Sequence, residues 1–310
     1  MRIVMGVDGS DSSLAAVELV AGTSWPPETK VRLVGAFELP SVRTDLGAAP
    51  PSDRSADDDL QRTLFDTLRG LSEPLRRRGL DTETVVARGR AADVLLAEAE
   101  DLSADLIVVG NRGLGTAASA LLGSVSATLV DHAECPVLVA RGPRISRILV
   151  ATDGSQSSEA IPAVVARWDV FRDLPIDVLC VAPPTRRGAV AATAPMVAGI
   201  ESQLVDASHE VDRYLVMADE MAARLVAAGW RATSSVRRGE AAAEIETAAV
   251  DLGADLIITG SRGLSGLQRL LLGSVAHRVL LHSQCSVLVM RGHVPARKDR
   301  PILLPAAASG

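Results

Sequence analysis

GNRGLGTAASALLGS occupies residues 110–124 and GSRGLSGLQRLLLGS residues 260–274. In each copy two glycines three apart open a loop that closes on Gly-Ser ten residues later, ahead of a helical pattern (VSATLVDH after the first). The copies lie 150 residues apart, and their surroundings repeat with them: 88–115 aligns without a gap on 238–265, RIVMGVDGSDSS (2–13) on RILVATDGSQSS (147–158), and HAECPVLVARG (132–142) on HSQCSVLVMRG (282–292). Blocks that recur in the same order at nearly the same offset mean a duplicated structural unit. The chain therefore divides into a first unit over 1–142 and a second over 146–292, joined by the short PRIS segment, with a Pro- and Ala-rich tail over 293–310 expected to be loosely held. At 310 residues with 47% apolar content, each unit can bury a core of its own.

Within a unit, short β-branched runs alternate with longer amphipathic segments, the pattern of β-α-β units around a parallel sheet. In the first unit strands are expected at 3–7, 31–37, 81–87, 105–109 and 136–140, with helices from about 12, up to about 78 after a loop over 39–55, over 91–102 and near 121–132. The second unit repeats this order around its own long loop, 182–196. Leu106 to Val109 and Leu256 to Thr259 are apolar at almost every position, which predicts central strands covered on both faces. The fold class is thus α/β, with two tandem doubly wound five-stranded parallel sheets. In such sheets ligands settle beyond the carboxyl ends of the strands where the winding reverses.

Net charge is −6 and the pI about 5.5, so no broad cationic surface is available for a nucleic-acid backbone, which excludes nucleic acid as the main partner. The start, MRIVMGVDGS, has no signal-peptide pattern and no segment is apolar enough to span a bilayer, so the expectation is a soluble, cytoplasmic protein without a membrane partner. Three cysteines, Cys135, Cys180 and Cys285, form no close pair and predict reduced, packed thiols. The five histidines make no metal-binding spacing.

Asp8-Gly-Ser follows the first strand and Gly110-Asn-Arg-Gly113 the fourth, so both loops face one crevice if the switch point lies between those strands. Gly110 and Gly113 allow close approach of main chain to a ligand. A helix starting at Gly123-Ser124 offers N–H groups and the positive end of its dipole, which suit a phosphate. The GxxxxGK[ST] and GxGxxG patterns are missing, and only two of the 32 basic residues are lysines, Lys30 and Lys298, neither beside a glycine loop. Phosphate charge falls instead to main-chain N–H groups, to Arg112 and Arg262, and to a divalent ion, for which Asp8 and Asp153 are the candidate carboxylates.

Gly110-x2-Gly113-x9-Gly123-Ser124 and Gly260-x2-Gly263-x9-Gly273-Ser274, with VDGS and TDGS after the first strands, resemble the ATP-binding branch of the universal stress protein family over nearly the whole chain. The resemblance implies strand order 3-2-1-4-5 and ATP, with Mg²⁺, held between the first and fourth strand ends. Carried over by position, it puts Gly6, Asp8, Ala36, Gly110, Asn111, Arg112, Gly113, Gly123, Ser124, Val125 and Ser126 at a first nucleotide site. At a second it puts Ala151, Asp153, Val181, Gly260, Ser261, Arg262, Gly263, Gly273, Ser274 and Val275. Ala151 replaces the glycine of the first repeat and Ala276 replaces Ser126, departures that put the strength of the second site in question.

In the family the last strands pair across a dimer, which suggests an internal pseudo-dimer of the two domains here. Further pairing into a homodimer stays open, and the expected output is nucleotide-dependent contact with an unidentified regulatory protein. Plainer readings stand beside these. Asp8 and Asp153 could cap the following helices, Arg112 and Arg262 could be solvated loop residues, and the buried cysteines packing residues. A slow Mg-dependent ATPase or phosphotransferase built on Asp8 or Asp153 is one rival function, and a nucleotide-independent interaction protein another.

Overall fold

The computed structural model describes residues 1–38, 54–113, 122–184, 199–261 and 272–291, with the backbone alone for 54–57 and 199–210. The first domain runs β1 (Arg2–Gly6), α1 (Asp11–Gly22), β2 (Lys30–Phe37), α2 (Arg54–Arg77), β3 (Asp81–Arg88), α3 (Ala91–Leu102), β4 (Leu106–Gly110), α4 (Ser124–His132) and β5 (Val137–Ala140). The second runs β6 (Ile148–Thr152), α5 (Gln156–Glu159), α6 (Ile161–Trp168), β7 (Pro175–Ala182), α7 (Gly199–Ala227), β8 (Arg231–Arg238), α8 (Ala241–Leu252), β9 (Leu256–Gly260), α9 (Ser274–His282) and β10 (Ser286–Met290). The tail and most of the two long loops lie outside the described residues.

Each half has strand order 3-2-1-4-5 with parallel neighbours, as expected from the alternating pattern. What the repeat did not predict from spacing alone is that the halves form one ten-stranded sheet. Edge strands β5 and β10 pair antiparallel, Leu138 opposite Leu288, so the exposed hydrogen-bonding edges of both halves satisfy each other. The sheet's two faces carry separate cores that both run across the junction. Ile3, Met5, Leu138 and Leu288 point to the side covered by α1, α2, α6 and α7; Val4, Val137, Val139, Val287 and Val289 point to the side covered by α3, α4, α8 and α9. Alternate residues of one strand thus serve both cores, which is why the central strands read as unbroken apolar runs.

The second unit departs from the first after β6. Where α1 is continuous, its counterpart breaks at Ala160 into α5 and α6. Pro162, aligned with Val17, has no N–H to give to Ser158 O, and its ring crowds that carbonyl, so an unbroken helix is not available. No helix among the described residues is long and apolar enough to cross a membrane.

Candidate functional site

β1 lies between β2 and β4, with Met5 opposite Val108, so the winding reverses between β1 and β4 and their carboxyl ends open on the same crevice. The turn after β1 is built by its own side chains. Gly9 takes φ +82°, which a side chain would strain, and Asp8 Oδ1 accepts from Ser10 N–H (3.0 Å) and Ser10 Oγ (2.6 Å). Ser10, not Asp8, caps α1 by accepting from Ser13 N–H. Asp8 is thereby held with Oδ2 against the second loop: a Cβ on Gly113 would stand 2.5 Å from it.

The glycines of that loop have different tasks. A Cβ on Gly110 would meet the carbonyl carbon and oxygen of Ser12 at 2.7 and 2.8 Å, so the absence of a side chain at Gly110 admits the first turn of α1. Asn111 locks the same contact by accepting from Ser12 Oγ at 2.8 Å, and it is absent from the lining of the cleft, unlike its neighbours. Gly123 is the N-cap of α4 and donates to Asn111 O at 2.7 Å. Ser126 Oγ, buried, donates to Gly110 O at 2.7 Å and pins the start of α4 to the end of β4. As the first N–H groups of α4, those of Ser124, Val125 and Ser126 have no partner within the helix itself.

A cleft of about 320 Å³ occupies this place, a size within the range of small-molecule sites. Gly6, Asp8, Ala36, Gly110, Arg112, Gly113, Gly123, Ser124, Val125 and Ser126 line it, brought together from β1, β2, β4 and α4. Val7, Ser13, Val34, Ala91, Leu95 and Val109 line it too and were not foreseen. Their signal was present: Val34 shares a strand face with Ala36, and Ala91 and Leu95 are one turn apart at the start of the helix that crosses back over β1. The lining is apolar towards Val34, Ala36 and Leu95 and polar at the α4 end. Asp8 and Arg112 are its charged members among the described residues.

In the second domain Asp153 accepts from Ser155 N–H (3.0 Å) and Ser158 Oγ (3.3 Å), and Gly273, N-cap of α9, donates to Ser261 O at 2.8 Å. Gly260 repeats the close approach, its would-be Cβ lying 3.0 Å from Ser158 N. Ala151 is buried, Val181 half-buried at the end of β7, Ser261 buried, Ser274 exposed and Val275 half-buried. Arg262 and Gly263 lie outside the described residues. Among the described residues no cluster of three or more His, Cys, Asp or Glu is placed to hold a metal ion. Burial pushes the thiol of Cys135 up to about 12 and that of Cys180, also opposed by the charge of Asp153, up to about 11, so both are inert packing groups at neutral pH.

The model of the Universal stress protein family matches residues 1–141 and again 144–291. The chain belongs to that family, as a tandem of two domains. It is 28% identical to a universal stress protein of Mycolicibacterium smegmatis over 93% of this chain and 96% of that one. It is 27% identical to one of Mycobacterium tuberculosis over 94% and 96%. A single-domain universal stress protein of Bacillus subtilis aligns at 32% identity with 45% of this chain and 98% of its own. Among solved structures, a universal stress protein from Archaeoglobus fulgidus superposes with a TM-score of 0.63 at 18% identity, covering 94% of this chain and 98% of its own, which shows the shared tandem fold.

Proposed function

We propose that this universal stress protein is a nucleotide-dependent regulator that binds ATP, with Mg²⁺, at the β1/β4 crevice of each domain. The observation that carries the reading is the cleft of about 320 Å³ whose wall changes from apolar to anion-seeking along its length. Val34, Ala36 and Leu95 offer a surface for a purine ring. The start of α4 offers unpaired N–H groups and dipole to phosphates, beside Arg112.

The residues present fit a magnesium-nucleotide better than a bare metal site. Mg²⁺ usually takes one or two carboxylates and completes its shell with phosphate oxygens and water, and Asp8 supplies one carboxylate at the phosphate end. When bound, the ion would supply charge neutralisation for the phosphates. Asp8 is oriented for this by Ser10, which occupies Oδ1.

Binding rather than turnover is the favoured role. The cleft's described lining has no histidine, cysteine or lysine to act as base or nucleophile, and its one carboxylate is assigned to the ion. Occupancy then acts by favouring one conformation over another in contacts with a partner protein. Isothermal titration of nucleotide-stripped protein with ATP and MgCl₂ tests this. Saturable heat is expected, lost on Gly113→Val in the first domain, whereas absence of heat at millimolar ATP would defeat the reading.

A further inference from the structure

Beyond the cleft of the first domain, the hydrogen bonds that hold the glycine loops lead out of their own domains. Asn111, in the first loop, donates its N–H at 3.0 Å to the carbonyl of Ala140, the last residue of β5. The next residue, Arg141, crosses the junction. Its guanidinium donates to Leu280 O in the last turn of α9 and, at 3.4 Å, to Cys285 O, while its N–H donates to buried Ser286 Oγ at 3.1 Å. α9 begins at Gly273, whose N–H is bonded to Ser261 O in the second loop.

From Ser261 the same path returns with the domains exchanged. Ser261 N–H donates at 2.8 Å to Met290 O, the last residue of β10. Arg291 follows, 7% exposed, and donates to Val130 O in the last turn of α4. α4 begins at Gly123, bonded to Asn111 O, where the path started. Each last helix therefore starts at its own domain's loop and ends on an arginine rooted beside the loop of the other domain.

The chemistry of these contacts makes them stiff. A guanidinium at a helix C-terminus meets the negative end of the dipole and bonds a carbonyl that has no partner within the helix. Arg291 is buried and Arg141 half-buried, so removing either guanidinium from its carbonyl breaks a charge-assisted hydrogen bond in a largely desolvated setting. A hollow of about 630 Å³, lined by Arg141, His282 and Cys285 among others, gives the end of α9 room for a second arrangement.

We propose that Arg141 and Arg291 are positioning residues that couple the two nucleotide sites, so that filling one changes the affinity of the other through the last helices. The proposal rests on the nucleotide reading above. Coupling of this kind corresponds to an affinity change of about fivefold or more, equal in both directions.

The test uses the full chain, MgATP, calorimetry and amide hydrogen exchange. Gly113→Val closes the first site, since any Cβ there meets Asp8, and should lower the stoichiometry from two nucleotides to one. MgATP then fills the second site alone. Exchange in the last turn of α4, in the domain whose own site is closed, is expected to slow. The slowing should vanish in Gly113→Val/Arg291→Gln and return in part with Arg291→Lys, a recovery that packing loss would not give.

The second-site Kd should also differ by about fivefold or more between Gly113→Val and the wild type with its first site filled. Unchanged α4 exchange on filling the second site, or a Kd indifferent to the first site, overturns the coupling while leaving the nucleotide reading intact. No heat in the wild type overturns both. Should Arg291→Gln fail to fold, the comparison of wild type with Gly113→Val decides by itself.

Discussion

The two Asp-Gly-Ser turns share their sequence and end in different surroundings. In the first domain the nearest group to a Cβ on Gly9 would be Thr67 Cγ2 at 3.8 Å, and Ser10 and Ser12 are half-exposed. In the second, the Met217 side chain from α7 stands directly over Gly154, and Ser155 and Ser157 are buried, each 5% exposed. Pro162 frees the short α5 from the helix behind it, and α5 packs on β9. Gly6, whose would-be Cβ lies 2.8 Å from Leu95 Cδ1, is matched by an alanine at 151. A duplicated frame has thus kept its backbone plan while the side chains around one turn have drawn in. The lesson is that the loop glycines mark where a crevice is built, and the residues outside the motif set how open it is.

Gly110 and Gly260 offer the hardest test of that shared frame. Gly110→Ala forces a methyl against the Ser12 backbone, which cannot rotate away, and should cost about 3 kcal/mol in urea unfolding. Gly260→Ala meets the Ser157 hydroxyl as well as Ser158 N and should cost less, because a hydroxyl can turn. Equal and small losses would show that the loops bend freely and that the frame is not set there.

Next in size is the alkaline limb of stability. The folded Cys135 thiol is pushed up to about 12 from an ordinary value of 9.0, so the folded state holds its proton more tightly than the unfolded chain does. This contribution is complete below about pH 9 and is lost as pH rises towards 12, roughly 3 kcal/mol by pH 11. Cys135→Ala should flatten the pH dependence of denaturant midpoints over that window. Its counterpart Cys285 is raised by burial too but is half-buried, and it should be alkylated faster than Cys135 at pH 8. Equal rates would break the contrast.

Ser126→Ala removes the buried bond to Gly110 O that Ala276 never makes in the second domain, and should cost about 1 kcal/mol. The reverse change, Ala276→Ser, probes whether the second domain can accept the same pin. The smallest stability effect belongs to Gly6→Ala, below about 1 kcal/mol because the obstructing atoms are the ends of Leu95 and Val109 side chains. Its readout is affinity: ATP binding at the first site should weaken by about tenfold as the cleft floor rises. Unchanged affinity would place the nucleotide away from Gly6.

Much of this was legible in the residues. The order of strands and helices followed from period, and the crevice from the rule that ligands sit where a doubly wound sheet reverses. The reason is locality: β-branched runs, a capping serine and a Gly-Ser helix start act within a few residues of themselves. Other features were missed because they depend on partners far along the chain. Gly110 lines the cleft as expected, and its close packing on Ser12 was not legible. Nor was the hydrogen bond that Asn111 accepts from Ser12 Oγ. Leu95 entered the cleft from a helix that carried no motif. Pro162 was visible, yet its consequence for the helix after β6 was obscured by the strength of the repeat.

By itself the sequence determined that two copies of one α/β unit stand in tandem, with glycine loops at matching strand ends, because repetition, hydrophobic period and turn chemistry are local properties. The pairing of the last strands was expected from the family resemblance; only the tertiary structure decided that it is antiparallel and makes one ten-stranded sheet with two continuous cores. It alone decided that Met217 covers one Asp-Gly-Ser turn and that Arg141 and Arg291 reach the opposite domain's last helix. Those outcomes depend on which edges and side chains meet across long stretches of chain, and no local pattern records such a meeting.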